Sequence, residues 1–460
     1  MLRRSRLALA FTLVASLGAT ARAEPSWSHL GPVLDGRQFD AVRGPSGNVH
    51  VIASEYAELT AAGAVVLTEP EGDGRQGGLD FPPAIAVGPD GAVHIVTRHG
   101  GSFADGHDIR YRRRSASGSW DVDVLLGSPV ARNYVVAVTA VSSLSLALSS
   151  QAGANVWGDL HLWSASATPS QLGSLADLWR ADADARLRAH GERIALVAGK
   201  PDPDGSASIA FADGGGNVVG DFGASVVTHQ AGSGRRGFPD VWFDQNGHAH
   251  FVYGAEQQLY YNRYDAKGAA VFASDVRVFD GLGTWHLSTG LGAVAASDDG
   301  ATVLAVALVT NGSQEASDSQ LVWSASTDGG ATWTAQATVG KQTHGGEGRA
   351  RPRLVGLGSA FMLLFNSTAG QKLEVSLASG FEPPGADAGG AGGAPGGGGS
   401  GGAVSSGGSP ASGGAPQTPS GEVIEADDGC GCRVAGAPAR LSGVWLLAVA
   451  FLLCRRQQKL

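Results

Sequence analysis

Three stretches place Arg directly after Gly in polar, glycine-rich surroundings: Gly74-Arg75, Gly234-Arg235-Arg236 and Gly348-Arg349-Ala350-Arg351. Guanidinium groups are planar and permanently charged. Several brought to one point would grip a carboxylate or a similar anion with paired hydrogen bonds. Arg98 and His99, in the polar stretch Thr97–Asp108, join Arg75, Arg235, Arg236, Arg349 and Arg351 as candidate ligand-binding residues. The competing reading is that each arginine supports its own loop or faces water. His50, His94 and His250 recur at one position of a repeat where other units carry Ile194, Val303 and Phe361. A position that accepts Ile or Phe is a packing position, so histidines hydrogen-bonded between neighbouring repeats are the expectation, rather than a shared metal. Asp105-Gly106-His107-Asp108 and Asp202-Pro203-Asp204-Gly205 carry carboxylates suited to Ca2+. Both lack the alternating ligands and closing Glu of an EF-hand, and Asp-Gly forms turns by default. Cys430 and Cys432 form a C-x-C pair without the four ligands zinc takes. No metal, cofactor or catalytic residue is assigned.

The elements that must position these groups are read from a repeat. From Trp27 to Gly380 a strand–turn–strand unit returns, as in GPSGNVHVI (Gly44–Ile52), GPDGAVHIV (Gly88–Val96), DQNGHAHFV (Asp244–Val252) and SDDGATVLA (Ser297–Ala305). The turns fall at Gly47, Gly91, Ser143, Gly191, Gly247, Gly300 and Gly358. A spacing of about fifty residues fits a four-stranded propeller blade. Period-two alternation in DIRYRRRS, QLYYNRYD and QLVWSAS marks third strands. Tyr111, Trp163, Phe211, Tyr261 and Trp323 sit on them as core aromatics. The last unit lacks a fourth strand, and Ser26-Trp27-Ser28-His29-Leu30 at the other end supplies one. The expectation is an all-β, seven-bladed propeller over 24–382 whose N-terminal strand closes the ring, six-bladed if the atypical third unit is an insertion.

Ser326, Asp328, Gly330, Thr332 and Trp333 fit S-x-D-x-G-x-T-W between two strand-like runs. The Asp carboxylate can cap turn amides, and Trp333 can bury its ring at the start of the next strand. This spacing resembles the Asp-box (BNR) hairpin of sialidase-like β-propellers. Pro239 to His250 resembles the repeat P-x-[IV]-x-[VF]-D-x-x-G-x-x-H of that bacterial family. The resemblance implies a propeller with the Asp box on the face opposite the ligand. In sialidases it also implies an arginine triad, a Tyr nucleophile supported by Glu, and an Asp acid/base. The early R-I-P segment of that family is replaced by Phe39-Asp40-Ala41-Val42-Arg43, and Tyr260 and Tyr261 read as strand aromatics with Glu256 near them only in sequence.

The ends have their own signals. Arg3, Arg4 and Arg6, the apolar run Leu7–Leu17 and Ala21-Arg22-Ala23 form a secretory leader over 1–23. Residues 383–426 are a Gly/Ala/Ser/Pro-rich spacer too poor in large side chains to fold. The segment 427–460 holds Cys430 and Cys432, an apolar helix over 441–454 and a basic end. It resembles the MYXO-CTERM sorting signal of myxobacteria. The resemblance implies cleavage near Cys430 or Cys432 by a membrane protease and retention at the cell surface; a plain anchor helix is the alternative.

The chain has 460 residues, 70 of them Gly, with 16% charged residues and a formal net charge of −9, which disfavours nucleic acid as a partner. None of the three Cys lies in the repeat region, so no disulfide holds it. The expected protein is exported, surface-tethered and monomeric. It binds a glycan, peptide or envelope protein through its long-loop face. The alternatives are a sialidase-type exo-glycosidase and a structural envelope component.

Overall fold

The computed structural model describes residues 25–36, 38–70, 83–99, 108–126, 136–142, 145–151, 157–180, 185–199, 207–212, 239–255, 258–279, 286–310, 319–339, 352–366 and 372–381. The chain divides into two units, Met1–Gly392 and Gly393–Leu460, and every described residue belongs to the first. The leader 1–23, the spacer 383–426 and the tail 427–460 with Cys430 and Cys432 lie outside the described residues.

Among the described residues there are twenty-seven strands in seven antiparallel sheets. The first strand, β1 (Ser26–Asp35), belongs to the last sheet. Blade 1 is β2 (Asp40–Arg43), β3 (Val49–Ile52), β4 (Glu55–Leu59) and β5 (Val65–Pro70). Blade 2 is β6 (Ala84–Val87), β7 (Val93–His99), β8 (Asp108–Arg114) and β9 (Trp120–Leu125). Blade 3 is β10 (Val136–Ser142), β11 (Ser145–Gln151), β12 (Trp157–Ser164) and β13 (Gln171–Arg180). Blade 4 is β14 (Ala185–His190), β15 (Arg193–Gly199) and β16 (Ala207–Ala212). Blade 5 is β17 (Asp240–Phe243), β18 (Ala249–Ala255), β19 (Gln258–Tyr264) and β20 (Val276–Arg277). Blade 6 is β21 (His286–Ala296), β22 (Val303–Thr310), β23 (Ser319–Ser326) and β24 (Ala337–Thr338). Blade 7 is β25 (Arg353–Leu357), β26 (Ala360–Asn366) and β27 (Lys372–Ser379), completed by β1. The first strands touch in the cycle β2, β6, β10, β14, β17, β21, β25 and back to β2, so they ring one axis. The third unit is therefore a full blade, and the six-bladed alternative falls.

The ring closes as its ends predict. β1 pairs antiparallel with β27, from Ser26 opposite Ser379 to Asp35 opposite Lys372. Apolar side chains from adjacent sheets interleave: Leu304, Val306, Trp323, Phe361 and Phe365 form one such interface. Each buried Leu or Phe contributes roughly 1.5–3 kcal/mol. The third-strand aromatics are core residues, Tyr111 and Tyr261 fully buried and Phe211 and Trp323 nearly so. The glycine at the first turn is required by its backbone: Gly47 has φ 86° and Gly300 φ 72°, where a side chain is strained.

Alternation of strand direction sets two faces. The turns between first and second strands and those between third and fourth strands, including Ser326–Trp333, share one. The chain enters each first strand from the other, which also receives the connections between blades. One expectation is corrected here. Trp333 does not open the fourth strand, which is Ala337–Thr338. It stays in the turn because its Nε1 donates to the Gly330 carbonyl (3.1 Å) and its ring meets Tyr261 of blade 5 edge-on at 5.2 Å.

Candidate functional site

The charged centre of the molecule lies on the axis, at the end where the first strands begin. Asp40 opens β2, Asp240 opens β17 and Arg353 opens β25; Arg186 and Arg188 alternate with Leu187 along β14. Period-two geometry turns Arg186 and Arg188 to the same side of their strand. Blades 1 and 4 are not neighbours, so their side chains meet only across the axis. Arg353 Nε donates to Asp40 Oδ1 at 2.9 Å, and Arg186 and Arg188 each bring a guanidinium nitrogen to 3.9 Å from that oxygen. Arg186 Nε also stands 4.0 Å from Asp240 Oδ1.

Both aspartates use their second oxygen alike. Asp40 Oδ2 accepts the Ile85 amide of β6 (3.3 Å), and Asp240 Oδ2 accepts the Val294 amide of β21 (3.1 Å). Each thus stitches its blade to the next and leaves one oxygen facing the arginines. Asp40, Asp240, Arg186 and Arg353 are all buried, and Arg188 is nearly so, with a side-chain exposure of 12%. Burial alone would push the Asp40 carboxyl up; the fields of Arg353, Arg188 and Arg186 and the Arg353 hydrogen bond together hold it below its ordinary value. Burial, followed by repulsion from Arg186, brings Arg353 down to about 10. Among the described residues three guanidinium groups meet two carboxylates here. Asp240 Oδ1 and Arg188 Nε, both buried, find no hydrogen-bond partner among the described residues.

The axis is filled beyond this cluster. Trp242, two residues and about 7 Å along β17 from Asp240, packs into three inter-blade clusters. A methyl group on Gly356 of β25 would meet the Trp242 ring at 3.2 Å and collide with the Ala296 carbonyl oxygen, so glycine is what lets the indole lie there. Farther on, Arg43 Nη1 donates to Asp298 Oδ1 at 2.7 Å. The cluster therefore lies at the end of the axis where the first strands begin, with Trp242 next to it along the axis.

The arginines singled out from sequence are not these. Arg75, Arg235, Arg236, Arg349 and Arg351 lie outside the described residues, as do the carboxylate stretches around Asp105 and Asp202. Arg98 and His99 are not in a loop: they end β7, opposite Ile109 and Asp108, because the ladder with β8 runs to its last pair. The axial arginines did leave a sequence signal. ARLRAH in β14 puts charge at alternate positions of a first strand whose counterpart in blade 2 reads AIAV, and Arg353 stands two residues past Arg351.

The opposite face is structural. Ser326 Oγ donates to Asp328 Oδ1 (2.7 Å), Asp328 accepts the Thr332 amide (2.9 Å) and hydroxyl (2.6 Å), and Ser326 Oγ accepts the Gly330 amide (2.7 Å). The histidines bond within their own blades, which corrects the expectation of bonds between blades: His50 to Tyr56 (2.8 Å), His94 to Tyr111 (2.9 Å) and His250 to Tyr261 (2.8 Å). Each pair is a diagonal cross-strand neighbour, His50 opposite Glu58 while Tyr56 is opposite Ile52. Only blade 5 reaches onward, where the Tyr261 hydroxyl donates to the Gly329 carbonyl of blade 6 (3.0 Å). Burial lowers His94 to about 4. Burial would raise Asp244, but hydrogen bonds from His250 and His248 bring it to about 2. Burial raises Tyr56, Tyr111, Tyr253, Tyr261 and Tyr264, the reverse of what a phenolate nucleophile needs. Among the described residues no group of three His, Cys, Asp or Glu is placed to hold a metal ion.

No family profile and no curated protein matches the chain. Solved structures of similar fold do. The chain is similar to a protein of unknown function from Dyadobacter fermentans, with 12% identity over 77% of this chain and 99% of that one and a TM-score of 0.44. It is also similar to the Hadza microbial sialidase Hz136 (13% identity, 72% and 73% of the two chains, TM-score 0.40). The SapL1 lectin in complex with alpha methyl fucoside is a third (12% identity, 69% and 98%, TM-score 0.41).

Proposed function

We propose that the chain is an exported binding module that takes an anionic ligand, a carboxylate-bearing glycan or peptide, at the axial opening of the face where the blades are joined. The observation that carries this reading is the convergence of Arg186, Arg188 and Arg353, from two blades, on Asp40 and Asp240 at one end of the axis. Guanidinium groups gathered at one point suit a planar anion such as a carboxylate. Trp242 fills the axis on one side of the cluster, so an acidic group would reach it from the side of the inter-blade connections. Arg75, Arg235, Arg236, Arg349 and Arg351 fall in sequence between successive blades and are further candidates for contact with the anion. Export by the leader and retention at the surface by the 427–460 tail complete the proposal.

The test is a glycan and acidic-peptide array probed with the purified chain and with Arg188→Ala. Binding of acidic members that drops in the variant supports the reading. Failure to bind any glycan, peptide or envelope extract removes it. Hydrolysis of a sialoside dye reporter would replace the binding role with a glycosidase, and surface biotinylation of cells expressing the chain with and without 427–460 checks the location.

A further inference from the structure

β1 differs from the other outer strands in how it is attached. Those of blades 1, 2, 3, 5 and 6 are each joined by a turn to the strand they pair with, so they cannot leave it without opening a hairpin. β1 is bonded to β27 of blade 7, but its chain continues through Gly36 and Phe39 into β2 of blade 1. Its hold on blade 7 is non-covalent throughout.

That hold consists of a ladder of eight pairs and a hydrogen bond between His29 Nδ1 and Ser376 Oγ (2.7 Å), with little burial. Of the ten residues of β1 only Leu34 is buried. The ladder is irregular between His29 and Gly31 and again between Pro32 and Leu34, and the Leu30 side chain is 44% exposed. Trp27 is the anchor at the free end, edge-on to Trp323 of blade 6 at 6.2 Å, yet its buried Nε1 has no hydrogen-bond partner among the described residues. β27 is held differently. Leu373, Val375, Ser376 and Ala378 are fully buried, and the strand pairs with β26 along its length. Loss of β1 therefore bares an edge on a strand that stays in place. A straight, unpaired antiparallel edge accepts another extended strand of matching alternation.

We propose that β1 is a releasable latch: it peels from β27 while the rest of the ring stands, and the bare edge takes the same strand from a second copy of the chain. Local opening of this kind is drawn from the least buried elements of a fold, and exchange of an identical element joins copies without new surface.

The experiment uses the full chain with Cys430, Cys432 and Cys454 replaced by Ser, and a fluorescent peptide of residues 25–36 as the probe. A second form adds Ser26→Cys and Ser379→Cys, which face each other in the ladder and are both exposed. Oxidation ties down the free end of β1. The latch predicts peptide uptake by the open form and at least about tenfold less by the oxidised form, with recovery on reduction. Trp27→Ala, checked for native near-ultraviolet dichroism, should speed uptake. Equal uptake by oxidised and reduced forms would show the peptide adhering elsewhere and overturn the proposal. No uptake by either the open form or Trp27→Ala after a day would overturn it equally. Neither outcome depends on the anion-binding reading.

Discussion

Replacing Asp40 by Asn tests the axial cluster most directly, because it removes one charge and almost no volume. At about 4 Å and an effective dielectric near 20, one carboxylate attracts one guanidinium by about 4 kcal/mol before desolvation is counted. Asp40 serves three arginines, at 2.9, 3.9 and 3.9 Å. Removing it leaves Arg186, Arg188 and Arg353 with Asp240 as the one carboxylate of the cluster among the described residues. Breaking a buried pair from one side costs about 3–5 kcal/mol, and that is the expected loss in urea unfolding at pH 7. The variant should also respond to anions. At ten times its dissociation constant, an anion that binds only the folded ring restores about 1.4 kcal/mol. Titration with acetate or galacturonate at constant ionic strength reads this, and the response should exceed that of the unaltered protein. The pH dependence follows from the direction of the Asp40 shift. Its folded value is lowered, so its contribution is complete above the unfolded value near 3.9 and drains away as the pH falls below it. Asp40→Asn should lack that limb. A loss below about 1 kcal/mol, or stability indifferent to anions, would mean that the cluster is already neutral and the reasoning wrong.

Asp328→Ala removes the acceptor of the Thr332 amide and hydroxyl and of the Ser326 hydroxyl; it should cost about 1–2 kcal/mol in urea unfolding and leave anion affinity unchanged, since its turn is on the other face. Gly330→Ala should cost more, about 3 kcal/mol or above, because φ is +97° and the new methyl would run into the Tyr261 ring. His94 has a folded value near 4 against 6.5. The unfolded chain therefore takes up its proton first, and stability falls as the pH drops from about 6.5 to about 4, by up to roughly 3 kcal/mol. His94→Gln should flatten that segment of a urea-midpoint titration. The five buried tyrosines are raised, so folded protein should lose stability above about pH 10, where unfolded phenols ionise first; near-ultraviolet dichroism against pH reads the onset.

Much of the fold was written locally. Glycines such as Gly47 and Gly300 mark positive-φ turns, period-two runs mark strands, and the last repeat lacks a fourth strand that the N-terminus supplies. These are short-range properties, carried by a residue's own backbone and its neighbours in sequence. The histidines were legible only in part. Their packing role followed from Ile and Phe at equivalent positions, but the partner did not, because strand register decides which tyrosine lies on the diagonal. The candidate site was the least legible. Gly-Arg in a polar stretch drew attention to Arg235 and Arg349, whereas the axis is lined by Arg186, Arg188 and Arg353, which sit inside strands as if they were core positions. Sequence alone determined that a ring of repeated sheets forms and that the two ends of the repeat meet; the structure decided that the atypical third unit is a blade of its own. Only the closed ring decided that Asp40 of blade 1 faces arginines of blades 4 and 7, because that meeting exists at the axis and nowhere along the chain.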